Sequence, residues 1–162
     1  MKSILIAMAA SNISVWLNPN NALAYLNRGI AKGELEDHRG AIADFSKAIE
    51  LNPNNGDYYS NRGLAKSNLE DYRGAIDDFS KAIELNPNDG DYYYFRGEAK
   101  SNLEDYRGAI DDFSKAIELN PNDGGAYYNR GLAKEALEDY RGAIHDIKKG
   151  NRKMRRSNRK HK

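Results

Sequence analysis

Residues 56–89 and 90–123 spell one 34-residue repeat twice, and the two copies differ at three places: Ser60 against Tyr94, Asn61 against Phe95, and Leu64 against Glu98. A period of this length constrains the chain more than any other feature, because so short a repeat cannot bury an apolar face alone and has to stack on its neighbours. The period reaches beyond the pair. Pro19, Pro53, Pro87 and Pro121 recur at 34-residue intervals, each inside Leu-Asn-Pro-Asn. This sets three full repeats at 22–55, 56–89 and 90–123, an incomplete fourth to 147, and a degenerate lead-in over 1–21.

Each repeat reads as two short antiparallel helices. In the second repeat Tyr59, Gly63, Ala65, Lys66 and Leu69 belong to a first helix, while Tyr72, Ala75, Ile76, Phe79, Ala82, Ile83 and Leu85 mark a second at three-to-four spacing. Asn86-Pro87-Asn88-Asp89-Gly90 stops one helix and starts the next, since Pro cannot continue a helix interior and Asn or Asp caps the following one. Gly63 lets the two helices approach. The three differing positions fall at i, i+1 and i+4 of the first helix and so share one of its sides. A scaffold held letter for letter while one helical side changes points to a binding surface; drift at exposed sites is the competing reading.

The recurring residues carry a family resemblance. Tyr25, Tyr59, Tyr93 and Tyr127, Gly29, Gly63, Gly97 and Gly131, Ala41, Ala75, Ala109 and Ala143, Phe45, Phe79 and Phe113, Ala48, Ala82 and Ala116, and the closing prolines together resemble the tetratricopeptide repeat over 22–147. The resemblance implies an all-α fold, a right-handed superhelical solenoid of antiparallel helix pairs, whose first helices line a concave groove that holds a peptide. By register that groove is faced by Leu26, Asn27 and Ile30, by Asp57, Ser60, Asn61, Leu64 and Asn68, by Asp91, Tyr94, Phe95, Glu98 and Asn102, and by Tyr128, Asn129 and Leu132. All three differing pairs lie in this set. Asn can grip a ligand backbone with donor and acceptor, and Tyr or Leu can anchor an apolar side chain.

The chaperone-binding members of that family hold a C-terminal carboxylate with Lys, Asn and Arg. Here Asn61 matches the central Asn, but the places of the first Lys and Asn hold Leu26 and Ile30, or Ser60 and Leu64, and those of the last Lys and Arg hold Asp91 and Phe95, or Gly125 and Asn129. A free carboxylate is therefore not the expected ligand. Asp57, Asp91 and Glu98 favour a protein segment carrying Lys or Arg. Other departures are Arg28, Arg62, Arg96 and Arg130 before the repeated Gly, and Glu36, Glu70, Glu104 and Glu138 where the family often has Gly. In the fourth repeat Ile147, Gly150 and Arg155 replace Phe, Ala and Pro, so its second helix is expected to fray before it is complete. The repeated Arg and the Asp sixteen residues on (Asp44, Asp78, Asp112, Asp146) read as an ion pair stitching each hairpin.

Charge is unevenly placed. Residues 148–162 hold nine of the 25 Lys and Arg and none of the 24 acids, which leaves the rest of the chain with 16 bases and a formal charge of −8. That basic run, without apolar periodicity, is expected to be a disordered tail. It supports an alternative function as a nucleic-acid or anionic-membrane surface binder acting through Lys148–Lys162. At the other end, Met1-Lys2-Ser3 and the apolar Ile4–Ala10 resemble a short secretory signal, while the repeat register reads Ala7–Leu17 as a degenerate second helix that caps the stack. The cap is the preferred reading, with a cytoplasmic location; export is the alternative. The absence of cysteine excludes disulfides and thiolate chemistry. His38, His145 and His161 have no partner at ligand spacing, and no phosphate loop or nucleophile motif is present, so no enzyme, metal or cofactor is expected. His38 stands where the other repeats have Tyr and reads as a packing substitution.

Overall fold

The structure is a computed structural model that describes the backbone of residues 2–160 and side chains as far as Arg156. Met1, His161 and Lys162 lie outside the described residues. The described residues form helices α1 (Lys2–Leu17), α2 (Ala22–Glu34), α3 (His38–Leu51), α4 (Gly56–Asn68), α5 (Tyr72–Leu85), α6 (Gly90–Asn102), α7 (Tyr106–Leu119), α8 (Gly124–Ala136) and α9 (Tyr140–Lys160), with no strand. Even-numbered helices are the first helices of the repeats. The chain divides into two compact units, Met1–Pro87 and Asn88–Lys162.

Local chemistry sets the boundaries. Asn21, Asn55, Asp89 and Asp123 cap the first helices by accepting hydrogen bonds from backbone N–H groups two or three residues on. Asp37, Asp71 and Asp105 do the same for the second helices through Gly40, Gly74 and Gly108. Each second helix stops before the Asn-Pro pair, where Asn52, Asn86 and Asn120 turn extended. The turn between paired helices carries a left-handed residue, with φ of 63°, 62°, 62° and 64° at Glu36, Glu70, Glu104 and Glu138. The N–H of the next residue reaches back to the helix, as Asp71 N–H does to the Lys66 carbonyl at 3.0 Å.

In the first unit α1 packs on α2, and each following helix on the one before it. Phe45, Ala41 and Ala65 are buried together, with Leu26 and Ile42 against them. Ser11 of α1 is buried and donates to the Ala7 carbonyl of its own helix at 2.8 Å. In the second unit Ala109, Phe113 and Ala133 form one buried cluster and Ala116, Ile117, Ala126 and Tyr127 another. The repeated Gly is required by the aromatic that follows it in the fold. A Cβ on Gly63 would stand 2.9 Å from the Phe79 ring, and one on Gly97 2.9 Å from that of Phe113.

The fourth repeat corrects the sequence-based expectation at its end. Its second helix does not stop short; α9 continues from Tyr140 to Lys160, through the run expected to be disordered. The reason lies in Gly150 and Gly124. A Cβ on Gly150 would be 2.7 Å from the Gly124 carbonyl oxygen and 2.9 Å from the Tyr128 nitrogen, so the two backbones touch where Ala would hold them apart. Beyond that contact, the Lys149 and Lys153 ammonium groups lie 4.5 and 5.7 Å from the centre of the Tyr127 ring. Lys153 also donates to Asn122 Oδ1 at 3.1 Å. The α9 face turned to α8 thus continues past Ala143 and Asp146, both buried, to Gly150.

Candidate functional site

The hairpins are stitched by a three-residue ionic cluster repeated four times. Arg62 grips Asp78 with Nε and Nη2 at 2.9 and 2.7 Å, and Lys66, one turn further along α4, reaches the same carboxylate at 2.8 Å. Arg28, Asp44 and Lys32, Arg96, Asp112 and Lys100, and Arg130, Asp146 and Lys134 repeat the arrangement. The Asp is buried in every case. Each guanidinium also lies over the Tyr three residues earlier, with centroid distances of 5.3 to 5.7 Å. The sequence pointed to the Arg and Asp but missed the Lys, although its recurrence four residues after the Arg was a readable signal. Desolvation alone would raise the Asp44 and Asp146 carboxyls, and the hydrogen bonds from Arg and Lys override it and hold both below the usual range. The Arg forks are engaged inside the scaffold. Arg62 also donates to Ser46 Oγ and Arg130 to Ser114 Oγ, on the preceding second helix.

The predicted groove residues divide by unit. In the first, Leu26 packs into the core and Ser60, 6 % exposed, offers a ligand almost nothing. Asn27 and Ile30 line a cleft of about 370 Å³ with Ala10 and Ser14 of α1. Asp57 and Asn68 are exposed, while Asn61 and Leu64 are half-buried. Asn61 spends an amide N–H on the Asp57 carbonyl of its own helix at 2.8 Å.

In the second unit the structure draws α6 and α8 together. The Tyr94 hydroxyl donates to Glu98 Oε1 at 2.9 Å, and Asn129 Nδ2 donates to Tyr94 Oη at 3.0 Å and to the same Glu98 oxygen at 3.1 Å. Phe95 meets the Tyr94 ring edge-on at 5.5 Å. Tyr94 is not the free anchor that an exposed, drifting position would be. Its ring packs against both buried clusters, 5.8 Å from Phe113, and is half-buried. Burial first, and then the negative charge of Glu98, push its hydroxyl well above the ordinary tyrosine range. Asn102 donates to the Glu98 carbonyl at 2.9 Å; Tyr128 is half-buried and Leu132 exposed.

This part of the surface is acidic without a neutralising partner. Desolvation raises the Glu98 carboxyl, and the bonds from Tyr94 and Asn129 only partly offset it; Asp123 raises it further. Asp91 is raised by loss of hydration and then by Asp89 and Asp123. No Lys or Arg among the described residues pairs with Glu98 or Asp91. Asp91 itself lines a cleft of about 480 Å³ together with Asn122, Asp123, Gly125 and Lys153 of α9. Among the described residues no group of three His, Asp or Glu side chains is placed to hold a metal ion. No described helix is long and apolar enough to cross a membrane.

Comparison with known proteins identifies the repeat and the fold. The profile of the tetratricopeptide repeat matches residues 22–55, 56–89 and 90–123, and a second profile of the same repeat matches 113–145. A comparison of the sequence with curated proteins finds no match. Among solved structures, a crystal structure of MamA superposes with a TM-score of 0.86 at 26 % identity, over 94 % of this chain and 89 % of that one. YrrB, described as a repeat protein of this type with an unusual peptide-binding site, gives 0.79 at 25 % identity, over 94 % and 78 %. The first such domain of Spaghetti (RPAP3), bound to the HSP90 peptide SRMEEVD, gives 0.71 at 26 % identity, over 72 % and 93 %.

Proposed function

Given that this chain belongs to the tetratricopeptide repeat family, we propose that it is a non-enzymatic interaction scaffold that binds a Lys- or Arg-bearing protein segment on the first-helix face of α6 and α8. The observation that carries the reading is the uncompensated acid at that face. Glu98 and Asp91 are held above the usual carboxylate range, by desolvation foremost, and among the described residues no Lys or Arg forms an ion pair with either. An incoming ammonium or guanidinium would do so, and electrostatic complementarity of this kind governs partner choice more than raw affinity. Lys153 supports the reading: it lines the same cleft as Asp91, with its ammonium against Asn122 and the Tyr127 face. A free C-terminal carboxylate would meet Asp91 and Phe95 instead of cations and is disfavoured.

The hydrogen-bonded centre of the site is the Tyr94, Glu98 and Asn129 triangle, with Phe95, Asp91 and Leu132 on the same two helices. The test is a titration of the full chain with three labelled peptides of equal length, one rich in Lys and Arg, one rich in Glu, and one apolar and neutral. The basic peptide is expected to bind best. Glu98→Gln with Asp91→Asn should weaken it by about ten-fold, on the order of 1.4 kcal/mol, with little change in melting. Equal affinity of wild type and variant for the basic peptide would reject the reading.

A further inference from the structure

Helix α1 presents an apolar face with no partner in the fold. Leu5, Ile6, Ile13, Trp16 and Leu17 are 57, 70, 58, 78 and 68 % exposed, although the helix carries a single charged residue, Lys2. These side chains are not scattered. Lys2, Ile6, Ala9, Ile13 and Trp16 follow one another at spacings of 4, 3, 4 and 3, the seam of a helix that packs lengthwise on another helix. Leu5 and Leu17 flank that seam, and buried Ser11 lies on the opposite side, toward α2.

We infer that this face is an interface between two copies of this chain, paired through antiparallel α1 helices about a two-fold axis at Ala9. The seam is self-complementary about that residue. Seven positions either side of Ala9 stand Lys2 and Trp16, so each Trp16 ring meets the Lys2 ammonium of the other copy, a favourable cation–π pairing. Four positions either side stand Leu5 and Ile13, apolar against apolar, and three positions either side stand Ile6 and Asn12, where Ile6 of one copy also neighbours Ile13 of the other. The small Ala9 at the centre allows the helices to approach. A two-fold contact of this type requires one patch to match itself, and this one does. The five exposed side chains offer on the order of 600 Å² per copy, which places the pair at the lower end of stable interfaces and makes micromolar dissociation the expectation.

The chain makes the test direct, because it has one Trp and no Cys. Sedimentation of the full chain from about 1 to 300 µM should show a monomer–dimer equilibrium, with Trp16 emission shifting to the blue as dimer forms. Ile6→Glu with Ile13→Glu should abolish dimerisation while circular dichroism and melting hold, since both residues are exposed in the monomer. Independently of that variant, Ala9→Cys should oxidise to a covalent dimer. Lys2→Cys alone should not, because the two thiols would lie about 21 Å apart along the paired helices. Lys2→Cys mixed with Trp16→Cys should cross-link. A monomer throughout the range, open-ended oligomers, a dimer that survives the double Glu variant, or cross-linking of Lys2→Cys alone as readily as Ala9→Cys would each overturn the proposal.

Discussion

At the scale of single residues, the fold is held by side chains that no pattern of apolar spacing displays. The four left-handed Glu are an instance: L-residues other than Gly avoid this region at a cost of roughly 1–2 kcal/mol. Glu70→Gly is expected to stabilise the chain by about 1 kcal/mol and to raise Tm by a few degrees in a thermal melt, the strain relieved outweighing the added freedom of Gly in the unfolded chain. The Arg, Asp and Lys clusters act in the opposite sense. Asp78 is 4 % exposed and serves both Arg62 and Lys66, so Asp78→Ala leaves two cations facing a desolvated gap. A double-mutant cycle on Arg62 and Asp78 in denaturant should give a coupling of about 1–3 kcal/mol; additive effects would contradict the pairing. For Asp44 and Asp146 the folded carboxyls lie below their unfolded values. Their contribution is therefore complete above the unfolded value and is lost as pH falls through the depressed folded values, which acid unfolding curves of Asp44→Asn against wild type will show as a gap that closes at low pH.

Whole elements answer to one another through backbone contact more than through propensity. Gly150 sits inside α9, where Ala would ordinarily gain about 1 kcal/mol in helix propensity. Because a Cβ there would meet the Gly124 oxygen at 2.7 Å, backbone against backbone, Gly150→Ala should instead destabilise the second unit by about 1–3 kcal/mol, measurable by denaturant titration. The change restores the residue found at Ala48, Ala82 and Ala116, so a consensus argument predicts the opposite sign. The first α9 turns were legible from repetition, its extension beyond 147 was not. A run of nine cations looks solvated until a neighbour supplies an aromatic face, and Tyr127 supplies one to Lys149 and Lys153. The boundaries of α2 to α8 were legible for the reverse reason: caps and Asn-Pro stops act within a few residues of themselves.

For the molecule as a whole, charge decides what reaches the candidate site. Glu98 and Asp91 titrate above the ordinary carboxylate range, and a cationic ligand favours their ionised forms. Affinity for a Lys-rich peptide is therefore expected to be full at neutral pH and to fall as pH drops through these raised values, before ordinary surface carboxylates protonate. Glu98→Gln with Asp91→Asn should flatten that profile. The sign reverses for stability. A carboxyl with a raised folded value binds its proton more tightly in the folded state, so its ionisation costs stability as pH rises, and the variant should melt no lower than wild type at pH 7. What the sequence by itself determined is whatever the 34-residue period repeats: the helix pairs, the Gly under each Phe, and the Arg and Asp sixteen apart. Identical letters in successive repeats must solve the same packing problem, so one copy explains the rest. Only the tertiary structure decided what happens where the copies differ. It turned Tyr94 partly into the core and onto Glu98 and Asn129, closed over Ser60 at the same register, and set Lys149, Gly150 and Lys153 of the basic run against α8, because burial and partnership at those positions depend on the neighbouring helix, which a period alone does not specify.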